Sequence, residues 1–346
     1  MSAKNNSAAE AAGLSLTVAA RTRLAAIAAV SVAGTGALAL AFLAFAPTAA
    51  SASTHPAGVP ASCAAAPSKC GYPDATNTGV PAGTALLNVP GQVSSGPGWT
   101  FETTSGGFVQ VTGNGAVLSG LNIPYNVNIK ASDVTLKDDK IVVGGGTSSY
   151  AVSLRTTVGV TIEDSTISGQ NATTGRAAYG IDDIYADSTG LTIENNNITD
   201  ARTGVELAGG QVTGNYIHDF GYVSGDHTNG IFVAGSTMPL VINDNTILNN
   251  FSQTDAISLD ASASGQPVAN KTIENNLLAG GSYTIYGGDS LGNITSDIVV
   301  DNNRFGQTYY STGGQYGPVA YFASAGIGNV WADNYWDTTG QTVPSP

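Results

Sequence analysis

The stretch "IENNNI" (193–198) decides the fold, because it recurs along the chain. Counterparts stand at "LSGLNI" (118–123), "LKDDKI" (136–141), "IEDSTI" (162–167), "VTGNYI" (212–217), "INDNTI" (242–247), "IENNLL" (273–278), "VDNNRF" (300–305) and "WADNYW" (331–336). Their first and sixth positions are apolar. Successive starts lie 18, 26, 31, 19, 30, 31, 27 and 31 residues apart. That variation is too wide for identical units and suits a solenoid whose coils carry loops of different length. The fourth position reads Leu121, Asp139, Ser165 and then Asn196, Asn215, Asn245, Asn276, Asn303 and Asn334. Side-chain amides stacked about 4.8 Å apart hydrogen-bond from coil to coil and satisfy polar groups at a tight turn.

Between these copies runs a second motif: "YAVSL" (150–154), "YGIDDI" (179–184), "TGVEL" (203–207), "NGIFV" (229–233), "DAISL" (255–259), "YTIYG" (283–287) and "PVAYF" (318–322). Val152, Ile181, Val205, Ile231, Ile257, Ile285 and Val319 are the inward-facing candidates. Two short strands per coil with an Asn ladder predict an all-β, single-stranded parallel β-helix over residues 99–346, closed by a C-terminal cap containing Trp331 and Trp336. On these repeats, residues 99–340 resemble the right-handed β-helix, pectate-lyase-like superfamily. The tail, "GGSYTIYGGDS" (280–290), "GGQYGPVAYF" (313–322) and "GNVWADNYWDTTG" (328–340), resembles secreted actinobacterial β-helix proteins. The resemblance implies a right-handed coil and a carbohydrate ligand.

The first 52 residues are of another composition. Arg21 and Arg23 precede the apolar run "LAAIAAVSVAGTGALALAFLAF" (24–45), and "ASA" (50–52) offers an A-x-A cleavage pattern. This reads as a secretory signal peptide cut after Ala52, with an uncleaved membrane anchor as the alternative. Cleavage leaves nine basic and 24 acidic side chains, a net charge of −15, on a secreted, extracellular protein. Such a surface excludes nucleic acid and anionic lipid as partners and repels a polyuronate unless Ca²⁺ bridges the carboxylates. Residues 53–98 form an entry segment in which Cys63 and Cys70 pair as one disulfide with a local role. A monomer is expected, with a polysaccharide or cell-surface glycan as partner.

Candidate chemistry gathers on the middle coils around "GDHTNGIFVAG" (225–235). Asp182 and Glu206 share one register position in neighbouring coils, which puts their Cα atoms about 5 Å apart. Such a pair is a solvated acidic face, a calcium site, or two carboxyls at the spacing of a retaining glycosidase. Asp226 and His227 are expected to face Glu206 on one side and Asp255 on the other as acid and base. Arg202, His218, Asn229, Asp260 and Tyr286 are candidate substrate-binding residues, although His218 can equally cap a turn through Asp219. Tyr283, Tyr309, Tyr310, Tyr316 and Tyr321 offer sugar platforms or an end cap. Polygalacturonase-like hydrolases carry "NTDG" at the strand start and "DD" one coil later. Here the text is "HTNG" and "QTDA", with Asn229 in place of one acid and only Asp255 kept. The family's Gly-His-Gly and Arg-x-Lys motifs have no counterpart. Two functions follow: an exported polysaccharide lyase or glycoside hydrolase, or a non-catalytic β-helix that binds glycans or forms a surface rod. Scarce Lys and Arg argue against a metal-free polyuronate lyase, which needs positive charge to acidify the proton beside the carboxylate.

Overall fold

The recurring hexad is a corner. A computed structural model describes residues 62–145, 149–292 and 295–346, so the expected signal peptide lies outside the described residues. In "TIENNNIT", Thr192–Glu194 and Asn197–Thr199 are strands of two different sheets. Between them Asn195 takes a left-handed conformation (φ +54°) and Asn196 is fully buried. Position three of every copy is left-handed: Gly120, Asp138, Asp164, Asn195, Gly214, Asp244, Asn275, Asn302 and Asp333. Only Gly, Asn and Asp enter that region readily, which explains the residue types found there.

The coil therefore has three strands where the repeats predict two. Positions one and six sit on either side of the corner and both point into the core, so two strands read as a single apolar-edged segment. The strands stack into three sheets of ten, eleven and nine strands. The first sheet contains Asn197–Thr199, the second the motif typified by "GIDDI", and the third Thr192–Glu194. Pairing along the coils is parallel. Antiparallel contacts occur where Ser95–Gly96, Trp99–Glu102 and Phe108–Val111 begin the second sheet. Ile181, Val205, Ile231, Ile257 and Ile285 pair in register and are fully buried. At the last coil, Trp331 and Trp336 pack on Phe305.

The Asn ladder forms as expected. The backbone N–H and Nδ2 of Asn196 both donate to Oδ1 of Asn215 at 3.0 Å, and the pattern repeats from Asn215 to Asn245, Asn276 and Asn303. Nδ2 also reaches a carbonyl of a preceding coil, as from Asn276 to Ile242.

The Cys63–Cys70 disulfide is present, but its setting is not local. Ser62 Oγ and the backbone N–H groups of Cys63 and Ala64 donate to the carboxylate of Asp337, in the last coil, at 2.9–3.1 Å. Cys63, Cys70 and Tyr72 pack on Leu248, Leu277 and Ala279 of the first sheet. Further on, Gly79 N–H donates to Asn195 O, and Leu87–Asn88 pairs with Leu121–Asn122 at the first coils. The entry segment is thus a strap running from the last coil back to the first.

Candidate functional site

The second sheet carries four long strands on neighbouring coils, Ala177–Asp183, Ala201–Glu206, Thr228–Ala234 and Thr254–Asp260. Each has a small residue just before its inward apolar residue: Gly180, Gly204, Gly230 and Ala256. A Cβ at Gly204 would lie 2.6 Å from both Gly230 O and Ile217 Cγ2, so the backbone closes on the core there. Residues on both sides of this point are left to face outward. Tyr179, Thr203, Asn229 and Asp255 before it, and Glu206, Phe232 and Ser258 after it, line one cavity of about 740 Å³. Arg202, His227, Thr254, Asp260, Tyr286 and Tyr316 complete much of the wall.

The register fixes two rows. One runs Tyr150, Tyr179, Thr203, Asn229, Asp255; the other runs Ser153, Asp182, Glu206, Phe232, Ser258, Tyr286. Asp182 therefore stands beside Glu206, as its spacing predicts. Asp182 is only 5% exposed, and burial, then Glu206 and Asp183, push its carboxyl up to about 7 against the pull of Arg202. Burial likewise raises Glu206 to about 7, with Arg202 opposing and Asp183 adding. The Arg202 guanidinium carbon lies 4.6 Å from the Tyr179 ring centre. A buried and a half-buried carboxyl in this state hold one proton between them near neutrality.

Asp255 is fully buried, and burial raises its carboxyl well above the usual range. The Ser258 hydroxyl lowers it without meeting hydrogen-bond geometry, so both carboxylate oxygens lack a well-formed partner. Asn229 accepts from Thr254 Oγ1 at 2.7 Å. Asp260 caps the short helix Ala261–Ser264, accepting from Ser262 N at 2.9 Å. His227 is exposed on the rim, and Tyr286 packs edge-on to Tyr321.

Two sequence candidates stand elsewhere. Both Asp226 oxygens bind the buried Arg176 guanidinium, and Oδ2 also accepts from Val223 N at 2.8 Å. Burial would raise this carboxyl, but Arg176 and Val223 hold it below the usual range. Asp226 is a structural anion beneath the loop, outside the cavity wall. His218 lies at the end of a first-sheet strand, stacked on Tyr216 and bonded to Asp219 (2.8 Å) and Asn197 (3.1 Å). It is the turn cap of the alternative reading, and burial lowers its pKa.

Of residues 206, 226, 227 and 255, expected to face one another, Glu206, His227 and Asp255 line one cavity but are spread along it, and Asp226 lies outside. Asn229 pairs with Thr203, so His227 is level with Ala201, at the other end of the strand from Glu206. Asp255 sits two coils from Glu206 and in the other row. Sequence order puts these residues on adjacent coils, but the position along each strand separates them. Calcium is also a poor fit. Ca²⁺ takes six to eight oxygens, whereas Asp182 and Glu206 offer two carboxyls beside a guanidinium. Among the described residues, no group of three or more His, Cys, Asp or Glu is gathered to hold a metal.

The sequence reading passes over Tyr179, Phe232 and Ser258. Phe232 and Ser258 hold the same place relative to the inward Ile as Asp182 and Glu206, so aligning the motifs on Ile231 and Ile257 finds them. Residues 119–319 match the model of the right-handed β-helix region, and the chain belongs to that family. No curated protein matches it.

Proposed function

We propose that this is an exported glycoside hydrolase that cleaves a polysaccharide lying along the second sheet. The observation that carries the reading is the in-register Asp182–Glu206 pair, with Glu206 on the wall of an aromatic-lined cavity. Retaining glycosidases use two carboxyls about 5–5.5 Å apart, one protonated and one ionised, and the register gives neighbouring Cα atoms about that spacing. Asp182, whose proton the charge of Glu206 holds in place, donates it to the glycosidic oxygen. Glu206, ionised on the cavity wall, attacks the anomeric carbon, and the leaving sugar departs as an alcohol. Water, deprotonated by Asp182, then releases the second sugar and restores both carboxyls. Arg202 keeps the ionised member of the pair from being lost to desolvation, while Phe232, Tyr286 and Tyr316 supply faces for sugar rings. The likeness of the repeats to secreted, pectate-lyase-like proteins supports export and a carbohydrate substrate.

The test is incubation with plant, algal and bacterial polysaccharides, reading reducing ends and unsaturated-product absorbance together. New reducing ends without absorbance, abolished in both Glu206→Gln and Asp182→Asn, are the expected result. Absorbance at the unsaturated product would make the protein a lyase. Full activity in both variants would place the chemistry elsewhere, and glycan binding without cleavage would make the cavity a binding groove.

A further inference from the structure

A second cavity, of about 480 Å³, opens on the same side of the solenoid, toward its N-terminal end. Its wall includes Ser105, Gly107, Pro124, Tyr125, Asn126 and Tyr150, and among the described residues no Lys, Arg, His, Asp or Glu lines it. Tyr150 pairs with Tyr179 in register, and their rings stack with centres 5.3 Å apart and planes 13° from parallel. Tyr179 belongs to the wall of the larger cavity. Because Val152 pairs with Val127, Tyr125 is level with Tyr150. Tyr125, Tyr150 and Tyr179 therefore form one row across three coils, leading toward the coil of Glu206. All three rings are partly exposed.

The wall behind Tyr125 is built to hold it. Phe101 packs on Tyr125 at 4.7 Å, and Gly107, at φ +94°, lies so close that a Cβ would come 2.9 Å from each of the two rings. Any other residue at 107 would push the platform out of place. The rise per coil is about 4.8 Å, close to the length of a pyranose unit in an extended chain; Tyr179 is covered by Tyr150 and Arg202, so the rings left for sugars are those of Tyr125 and Tyr150 on the cavity wall.

We propose that the Tyr125–Tyr150 cavity is a separate binding subsite for uncharged pyranose units of the same chain that the Asp182–Glu206 centre cleaves. It rests on the reading of the larger cavity as a glycan site. Aromatic faces stack on the C–H faces of sugar rings, and Asn126 and Ser105 offer hydrogen bonds to hydroxyls. With no cation in the wall, a uronate carboxylate would be desolvated without a counter-charge, so neutral glycans are selected. A chain reaching both cavities gains the affinity of each through one linkage, which makes the protein an internal cutter of long chains.

The experiment compares Tyr125→Ala with the parent protein in affinity electrophoresis and in turnover, using a neutral polysaccharide, a polyuronate of similar length, and short oligomers of the neutral sugar. A loss of about tenfold in affinity for the long neutral chain, equivalent to about 1.4 kcal/mol, with unchanged turnover of the short oligomers, is expected. Tyr125→Phe should restore most of the affinity. Equal affinity of Tyr125→Ala and parent for the long chain overturns the subsite, and preference of the parent for the polyuronate overturns the neutral class. If the parent neither binds nor cleaves any glycan, the reading of the larger cavity fails, and this one falls with it. Cleavage by the parent with no effect of Tyr125→Ala sinks the subsite alone.

Discussion

At the scale of single residues, protonation carries much of the behaviour. Glu206 and Asp182, both raised to about 7, work only while they share one proton, so kcat/KM should fall on both sides of about pH 7. A pH–rate profile on the identified polysaccharide checks this, and Glu206→Gln should leave no measurable limb. Asp139 shows the same chemistry used for structure. It stands in the ladder where later coils have Asn, with Oδ1 accepting from Leu121 N at 2.8 Å and Oδ2 unpartnered. Burial raises its carboxyl to about 7, so a proton takes the place of an amide N–H. The native form binds that proton more tightly than the unfolded chain does. The stabilisation is therefore complete below about pH 4 and is lost as the pH rises through about 7. Asp139→Asn should raise stability at pH 8 by about 3 kcal/mol and change it little at pH 4, as read by urea unfolding at both. Asp226→Ala should leave Arg176 buried without its carboxylate and cost about 3 kcal/mol. Turnover by the fraction that remains folded should match the parent's.

At the scale of elements, the ladder and the left-handed turn make one device. Position three turns the chain and position four ties it to the next coil, so the hexad takes Asn, Asp or Gly followed, in the last six copies, by Asn. Asn276 accepts two hydrogen bonds from Asn245 and donates to Ile242, Glu274 and Asn303. Asn276→Ala should cost about 1–3 kcal/mol through the groups it strands. Asn126→Ala, outside the ladder, should leave the thermal midpoint unchanged. Differential scanning calorimetry separates the two. The ladder was legible in the sequence because it repeats at one register position with one chemistry. The third strand was not, because the corner hides it between two apolar positions that look like a single segment.

At the scale of the molecule, the strap ties the two ends of the solenoid together. Solenoids are stabilised mainly by neighbour-to-neighbour contacts and fray from their ends. A segment anchored at Asp337 and paired at Leu121–Asn122 opposes fraying at both. Asp337 is fully buried and gathers Ser62, Cys63, Ala64 and Arg304. Asp337→Ala should therefore cost about 3 kcal/mol. Hydrogen exchange should then rise first in the last coil and in residues 62–72, with the Asp182–Glu206 centre still protected.

The sequence alone determined the coil, its Asn turns, the inward Ile and Val rows and the neighbouring placement of Asp182 and Glu206. Each is a periodic property, and periodicity survives without coordinates. Only the tertiary structure decided which polar residues share a cavity, that Asp226 belongs to Arg176 and His218 to Asp219, and that a disulfide near residue 63 guards the last coil. Those outcomes depend on where along a strand each side chain leaves the backbone and on loops of unequal length. Contacts such as Asp337 with Cys63 join residues 274 apart, and no repeat in the sequence records them.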